Sequence, residues 1–282
     1  MQLRAWLDKG AAALQAGPHP EKARRDAELL LLFAAGLSRS AFLAHSNDEL
    51  DLAASTHFGV LLERRLEGEP IQYITGSCEF YGLPFHVTSE VLIARPETEH
   101  LVECVLELTP LFAEPRIVDV GTGSGAIAVA LAYKLPNAYI AATDVSEVAI
   151  DLARENARRN GVSDCIRFLQ GDLLASFAAE QIDIVVSNPP YVPTVDRESL
   201  AMEVCDFEPG LALFAGEDGL EIYRRLIPAS FTALGSGGFI ALEIGCGQSD
   251  AVGSLLANAG FGDVEFRPDL QGIPRVALAR RP

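Results

Sequence analysis

Apolar residues recur at helical spacing through roughly the first seventy positions of the chain. Leu3, Trp6, Leu7 and Leu14 share one stripe, and Ala23, Ala27, Leu30, Leu31 and Ala34 share a second. Pro20 stands where a helix can begin and Gly36 where it can end. A third helical stretch is predicted over residues 48–66. Short amphipathic helices of this kind bury their stripes against one another in a small bundle. Near Pro70 the texture changes. Tyr73, Ile74, Phe80, Tyr81, Phe85 and Val87, interleaved with glycines, predict a β-hairpin over residues 72–96. Beyond about His100, strands and helices alternate. Strands are predicted at 116–120, 139–143, 166–170, 182–187, 238–244, 264–267 and 275–279, and helices at 126–134, 147–160, 219–234 and 249–259. Such alternation implies an α/β domain whose seven-stranded sheet is mostly parallel and covered on both faces. The last two strands lie too close in sequence for a helical crossover, so an antiparallel pair is expected there. The implied organisation is a helical domain over 1–70, a hairpin linker over 71–99 and an α/β domain over 100–282.

Composition narrows the possible functions. Against 22 lysines and arginines stand 39 acidic residues, a formal charge of −17. So acidic a chain repels a phosphate backbone at long range, which argues against direct binding to nucleic acid. Cys78, Cys104, Cys165, Cys205 and Cys246 are widely spaced and form no paired motif, and the five histidines are scattered. Neither set suggests a metal site or a disulfide framework, and free thiols fit a reducing compartment. Apolar runs such as residues 29–35 are far shorter than the roughly 18 residues of a spanning helix. The N-terminus lacks the apolar core of a signal peptide. A soluble, cytoplasmic, monomeric protein is therefore expected.

The first strand of the α/β region runs into Gly121-Thr122-Gly123-Ser124-Gly125, and a helix follows. Glycines allow an unusual turn and close approach of a ligand to the backbone. The carboxyl edge of such a sheet is where doubly wound folds bind ligands. Asp144 ends the next strand, where a carboxylate can accept both hydroxyls of a ribose. Loop and acid together point to an adenosine-containing cofactor. Asp119, just before the loop, suits a cationic amino group and would repel a pyrophosphate, which disfavours a dinucleotide. After the third strand, Asp172 can accept the adenine amino hydrogen while Leu173 packs on the ring.

A strongly apolar strand leads into Asn188-Pro189-Pro190-Tyr191. The prolines remove two backbone donors but keep their carbonyls, and the Asn188 side chain adds another acceptor. Tyr191 contributes an aromatic face. Together they suit a flat –NH₂ group. Its lone pair is conjugated and weakly nucleophilic, and acceptors lying off its plane favour the pyramidal form that can attack a methyl group. Adenine N6, guanine N2 and glutamine N5 remain open on these residues alone.

Three further segments accompany the two motifs. They are Glu69-Pro70-Ile71-Gln72-Tyr73-Ile74-Thr75-Gly76, Val91-Leu92-Ile93-Ala94-Arg95-Pro96-Glu97-Thr98-Glu99 and Asp269-Leu270-Gln271-Gly272-Ile273-Pro274-Arg275-Val276. As a set they resemble the HemK/PrmC family of protein-(glutamine-N5) methyltransferases, over essentially the whole chain. The resemblance implies a class I, Rossmann-like methyltransferase domain behind a helical domain and a hairpin. It implies S-adenosylmethionine as cofactor, with S-adenosylhomocysteine as product, and the glutamine of a Gly-Gly-Gln motif in peptide chain release factors as substrate. The resemblance implies that Gly121, Thr122, Gly123, Ser124, Gly125, Asp144 and Asn188 hold the cofactor, with Thr98 and Glu99 closing over it; the readings of Asp119, Asp172 and Leu173 above add those residues to the set. Asn188, Pro189, Pro190 and Tyr191 would hold the glutamine amide, and the helical domain would grip the release factor. A ribosomal-protein glutamine, or an amino group of DNA or RNA, is the alternative substrate. Two positions depart from the family pattern. Ala94 replaces a proline, which loosens the linker, and Leu173 stands where some members carry tryptophan, leaving apolar packing in place of stacking.

Overall fold

In the structure of the chain, a computed structural model that describes residues 1–177 and 181–282, the N-terminal stripes become packed helices. These are α1 (Leu3–Leu14), α2 (Ala23–Ala35), α3 (Arg39–Ala44), α4 (Leu52–Leu66) and α5 (Ile71–Thr75). Leu3, Leu7, Leu14, Ala27, Leu30, Phe58 and Leu61 close a common core. Pro20 opens a single 3-10 turn, and the α-helix starts only at Ala23. Helix α4 also starts later than its pattern predicts. Asp51 Oδ1 accepts from the Ala54 amide at 2.8 Å and caps it. The stretch before it is tied elsewhere, since the Asp48 and Ser46 carbonyls accept from the Leu3 and Arg4 amides. The compact unit comprises Met1–Ser77 together with Ala201–Phe207, a return of the chain that no local pattern announces.

The hairpin is shorter than its texture suggests. Strands β1 (Ser77–Phe80) and β2 (Leu83–His86) form it, and α6 (Pro96–Leu108) follows after a short irregular stretch. Thr98 and Glu99 thus lie in the first helical turn, not at the end of a hairpin arm. The cause is legible afterwards: proline at the first position and acidic residues in the first turn are helix-start chemistry.

The second compact unit comprises Cys78–Leu200 and Glu208–Pro282. Its strands are β3 (Arg116–Val120), β4 (Tyr139–Asp144), β5 (Ile166–Gln170), β6 (Ile182–Ser187), β7 (Leu234–Glu243), β8 (Gly262–Pro268) and β9 (Pro274–Arg280). Intervening helices are α7 (Ala126–Lys134), α8 (Glu147–Arg159), α9 (Glu221–Ala233) and α10 (Ser249–Asn258). The sheet order is β5-β4-β3-β6-β7-β9-β8, parallel from β5 to β7 and antiparallel through β9 and β8. The expected α/β architecture and antiparallel end are both present. The central strands are apolar on both faces, as parallel strands under two helical layers must be. Ile117, Ile184 and Val186 face one core, while Val118, Val120 and Val185 face the other. From β3 the chain winds to β4 and β5 on one side and later to β6 and β7 on the other. The β3/β6 junction is therefore the switch point, and its carboxyl edge is where such sheets bind ligands. No helix among the described residues is long and apolar enough to cross a membrane.

Candidate active site

Both sequence motifs leave the sheet at that junction. Strand β3 delivers the glycine loop and β6 delivers the tetrapeptide, with Asp119 and Val186 in register. Ser187 Oγ donates to the Val120 carbonyl at 2.6 Å and ties the two strand ends together.

The loop needs its glycines for different reasons. Gly121, Gly123 and Gly125 have φ of +72°, +54° and +83°, which side chains rarely adopt. At Gly125 a Cβ would also sit 3.0 Å from the Ala153 Cβ, so α8 packs against bare backbone there. The Gly121 and Thr122 amides both donate to the Thr143 carbonyl, at 2.8 and 3.0 Å. The Gly123 amide donates to Asp144 Oδ2 at 2.9 Å, and Ser146 N donates to Asp144 Oδ1 at the same distance. Each Asp144 oxygen keeps a lone pair beyond these bonds.

Asp119 is completely buried. Its Oδ2 accepts from Thr122 Oγ1 at 2.6 Å and from the Ala128 amide at 3.2 Å, while its Oδ1 has no partner. Burial pushes the carboxyl up to about 7, against the Thr122 and Ala128 hydrogen bonds and with help from the Asp144 charge. Buried polar atoms are nearly always satisfied, so a lone Oδ1 beside the loop marks a place for a donor.

Leu173 takes φ +50°, rare for a non-glycine residue, and packs against the core on the α9 face of the sheet. Asp172 is exposed and forms an ion pair with Arg225 of α9. The sequence foresaw neither the pairing nor the strained backbone.

In the tetrapeptide, Asn188 Nδ2 donates to Thr98 Oγ1 at 3.0 Å. Thr98 Oγ1 donates in turn to Glu243 Oε2 at 2.6 Å, and the Tyr191 hydroxyl donates to Glu243 Oε1 at 3.3 Å. Gln248 Nε2 donates to the Tyr191 carbonyl at 2.9 Å, and Gln248 Oε1 accepts from Gly245 N. Burial, then the Glu243 charge, hold the Tyr191 hydroxyl well above its ordinary range, so it stays protonated. Among the described residues the Pro189 and Pro190 carbonyls accept no hydrogen bond.

Thr98 therefore meets the tetrapeptide, whereas its neighbour Glu99 turns away. Glu99 Oε1 accepts from the Tyr81 amide at 2.7 Å, in the hairpin turn. Sequence reasoning missed Glu243, Gln248 and Asn156. The available signal for Glu243 was an acidic residue inside an otherwise apolar strand.

Residues 5–76 match the family described as PrmC N-terminal domain, and residues 96–205 match the methyltransferase small domain. The chain is 44% identical over 282 residues to the "release factor glutamine methyltransferase" of Moorella thermoacetica, covering 100% of this chain and 99% of that protein. To the Escherichia coli protein of the same name it is 40% identical over 281 residues, 99% of each chain. A methyltransferase structure from Pyrococcus furiosus superposes with a TM-score of 0.52 over 71% of this chain and 90% of its own; at 19% identity this is a likeness of fold.

Proposed function

The chain belongs to the release factor glutamine methyltransferases, and we propose that it transfers a methyl group from S-adenosylmethionine to the side-chain amide N5 of the glutamine in a release factor's Gly-Gly-Gln motif. The observation that carries this reading is the placement of the glycine loop and the tetrapeptide side by side, at the carboxyl ends of neighbouring strands. A cofactor held by one and a nitrogen held by the other would meet over the switch point.

The residues present fit S-adenosylmethionine. Asp119 Oδ1 lacks a partner, which a methionyl ammonium would supply. The spare lone pairs of Asp144 suit two ribose hydroxyls. Leu173, already packed on the core, offers an apolar surface for adenine beside Asp172. When bound, the cofactor supplies an electrophilic methyl on a sulfonium sulfur.

The chain's own groups do the rest. Asn188 Oδ1 and a proline carbonyl accept the two hydrogens of the glutamine amide, and the Tyr191 ring covers its plane. Acceptors placed off that plane draw the nitrogen toward a pyramidal shape, so its lone pair localises toward the methyl. They bind the transition state better than the planar ground state. One amide hydrogen leaves as a proton once the nitrogen carries the methyl.

Mass spectrometry of intact release factor, incubated with the protein and methyl-labelled cofactor, tests this. One methyl mass is expected on the Gly-Gly-Gln peptide, and none on ribosomal proteins or DNA offered alongside. Asn188→Ala should lower turnover roughly a hundredfold, the scale of removing one preorganised partner of a reacting group. A rate within about twofold of wild type would take Asn188 out of the clamp.

A further inference from the structure

A carboxylate that is 2% exposed at the end of an apolar strand is expensive to keep, yet Glu243 has no direct ion pair among the described residues. It is held by hydroxyls. Thr98 donates to one oxygen and Tyr191 to the other, while the Tyr223 hydroxyl donates to the Glu243 backbone carbonyl at 2.8 Å and holds the residue in place.

We propose that Glu243 and Thr98 act as a positioning relay that sets the polarity of the Asn188 amide, and so restricts the site to a nitrogen that offers hydrogens. The proposal rests on the tetrapeptide being an amide clamp. Burial pushes the Glu243 carboxyl above its ordinary range, against the Thr98 and Tyr191 hydrogen bonds, and the relay operates in the ionised form, which can only accept hydrogen bonds. The Thr98 hydroxyl has one hydrogen, and Glu243 takes it. Toward Asn188, Thr98 Oγ1 can then only accept. Asn188 must present Nδ2 to it, which leaves Oδ1 as the atom available to a substrate. The two ends of an amide are nearly equal in shape, so packing alone would not prevent Asn188 from turning over. Turned over, it would show an –NH₂ to the incoming –NH₂, donor against donor. The relay prevents that from two bonds away. The same carboxylate orders Tyr191, so one buried group sets both sides of the clamp.

The family resemblance implied Thr98 against the cofactor, and the relay makes a different prediction. Thr98→Val keeps the shape and removes the hydroxyl; Thr98→Ser keeps the hydroxyl. With intact release factor as substrate, Thr98→Val should lower kcat at least about tenfold while leaving the cofactor dissociation constant, read by calorimetry, within about twofold. Thr98→Ser should return kcat to within about threefold of wild type. Glu243→Gln can donate as well as accept, which frees the hydroxyl to turn. It should lower kcat too, and the Thr98→Val/Glu243→Gln pair should lose no more than the worse single variant, because both break one chain of bonds. The relay is overturned if Thr98→Val keeps kcat near wild type, if Thr98→Ser is as impaired as Thr98→Val, or if weaker cofactor binding accounts for the loss. Failure of the wild type to methylate the release factor would strike the amide-clamp reading instead. A wild type that is active and sensitive to Asn188→Ala, beside an unimpaired Thr98→Val, would strike the relay alone.

Discussion

Asp119 carries a stability cost, which its proposed role toward the cofactor would explain. Its carboxyl ordinarily titrates near 3.8 and is pushed up to about 7, chiefly by burial. For an acid this sign means that the folded state holds its proton more tightly than the unfolded chain does. Stability therefore falls as pH rises from about 4 to about 7, and the full cost is present above that window. At about 1.4 kcal/mol per pH unit the ionised form costs roughly 4 kcal/mol. Asp119→Asn removes that charge but puts an amide nitrogen where Oδ1 has no partner, returning about 1–3 kcal/mol of the gain. The variant should thus melt higher than wild type at pH 8 and lower at pH 4.5, a crossing that thermal unfolding at the two values would reveal. If Asp119 faces the methionyl ammonium as proposed, the variant's affinity for S-adenosylmethionine should fall at least about tenfold at pH 8, since that charge is gone. A variant less stable at both pH values would show that Asp119 is not a strained group.

Among the elements, β2, α8 and the glycine loop are joined through Asn156, which is completely buried. Its Oδ1 accepts from the His86 amide at 2.6 Å, and its Nδ2 donates to the carbonyls of His86 at 2.9 Å and Ser124 at 2.8 Å. Asn156→Leu keeps the volume and leaves three backbone groups without partners, so a loss of about 3 kcal/mol is expected in denaturant unfolding. Amide exchange should quicken at His86, whose amide loses its acceptor. A change under about 0.5 kcal/mol would mean that solvent or backbone shifts replace these bonds. The case shows what the sequence could carry. Strand β3 begins and ends where its pattern places it, because an apolar run before a glycine turn is a local signal. The glycine loop, Asp144 and the tetrapeptide were legible for the same reason. Asn156 sits in Glu155-Asn156-Ala157-Arg158, which reads as an ordinary helix surface, and its partner His86 lies 70 positions earlier. Glu243 and Thr98 are 145 positions apart. No periodicity links such pairs; only the fold brings them together. The start of α6 is the opposite case, since Pro96, Glu97 and Glu99 carry a local start signal that the aromatic texture before them obscured.

On the scale of the whole molecule, the N-terminal unit is completed by Ala201–Phe207, reached from the tetrapeptide through residues 192–200. A helix as short as Met202–Phe207 has no independent stability, so tertiary contacts must hold it. Arg65, 2% exposed, supplies them. It donates to Asp26 Oδ2 at 2.8 Å, to the Glu69 carbonyl at 2.9 Å and to Glu203 Oε1 at 2.6 Å, and Lys22 Nζ meets Glu203 Oε2 at 3.2 Å. Burial alone would raise the Glu203 carboxyl, but Arg65 and Lys22 outweigh it and hold it below its ordinary range. A depressed carboxylate contributes stability that is present above the unfolded value and lost as pH falls through the folded one. Arg65→Met leaves the Asp26 charge buried without its guanidinium, which costs about 3–5 kcal/mol. Adding Asp26→Leu should recover most of this, because the uncompensated charge is then gone. As pH falls below the ordinary glutamate range the gap between Arg65→Met and wild type should narrow, because Glu203 takes up its proton and wild type loses the pair that the variant already lacks. Amide exchange at residues 201–207 should quicken in Arg65→Met at neutral pH. If that exchange were unchanged, or the gap held constant through the acid range, the return segment would be held by its apolar contacts, with Met202 seated over Gly68, and the ion pairs would be incidental.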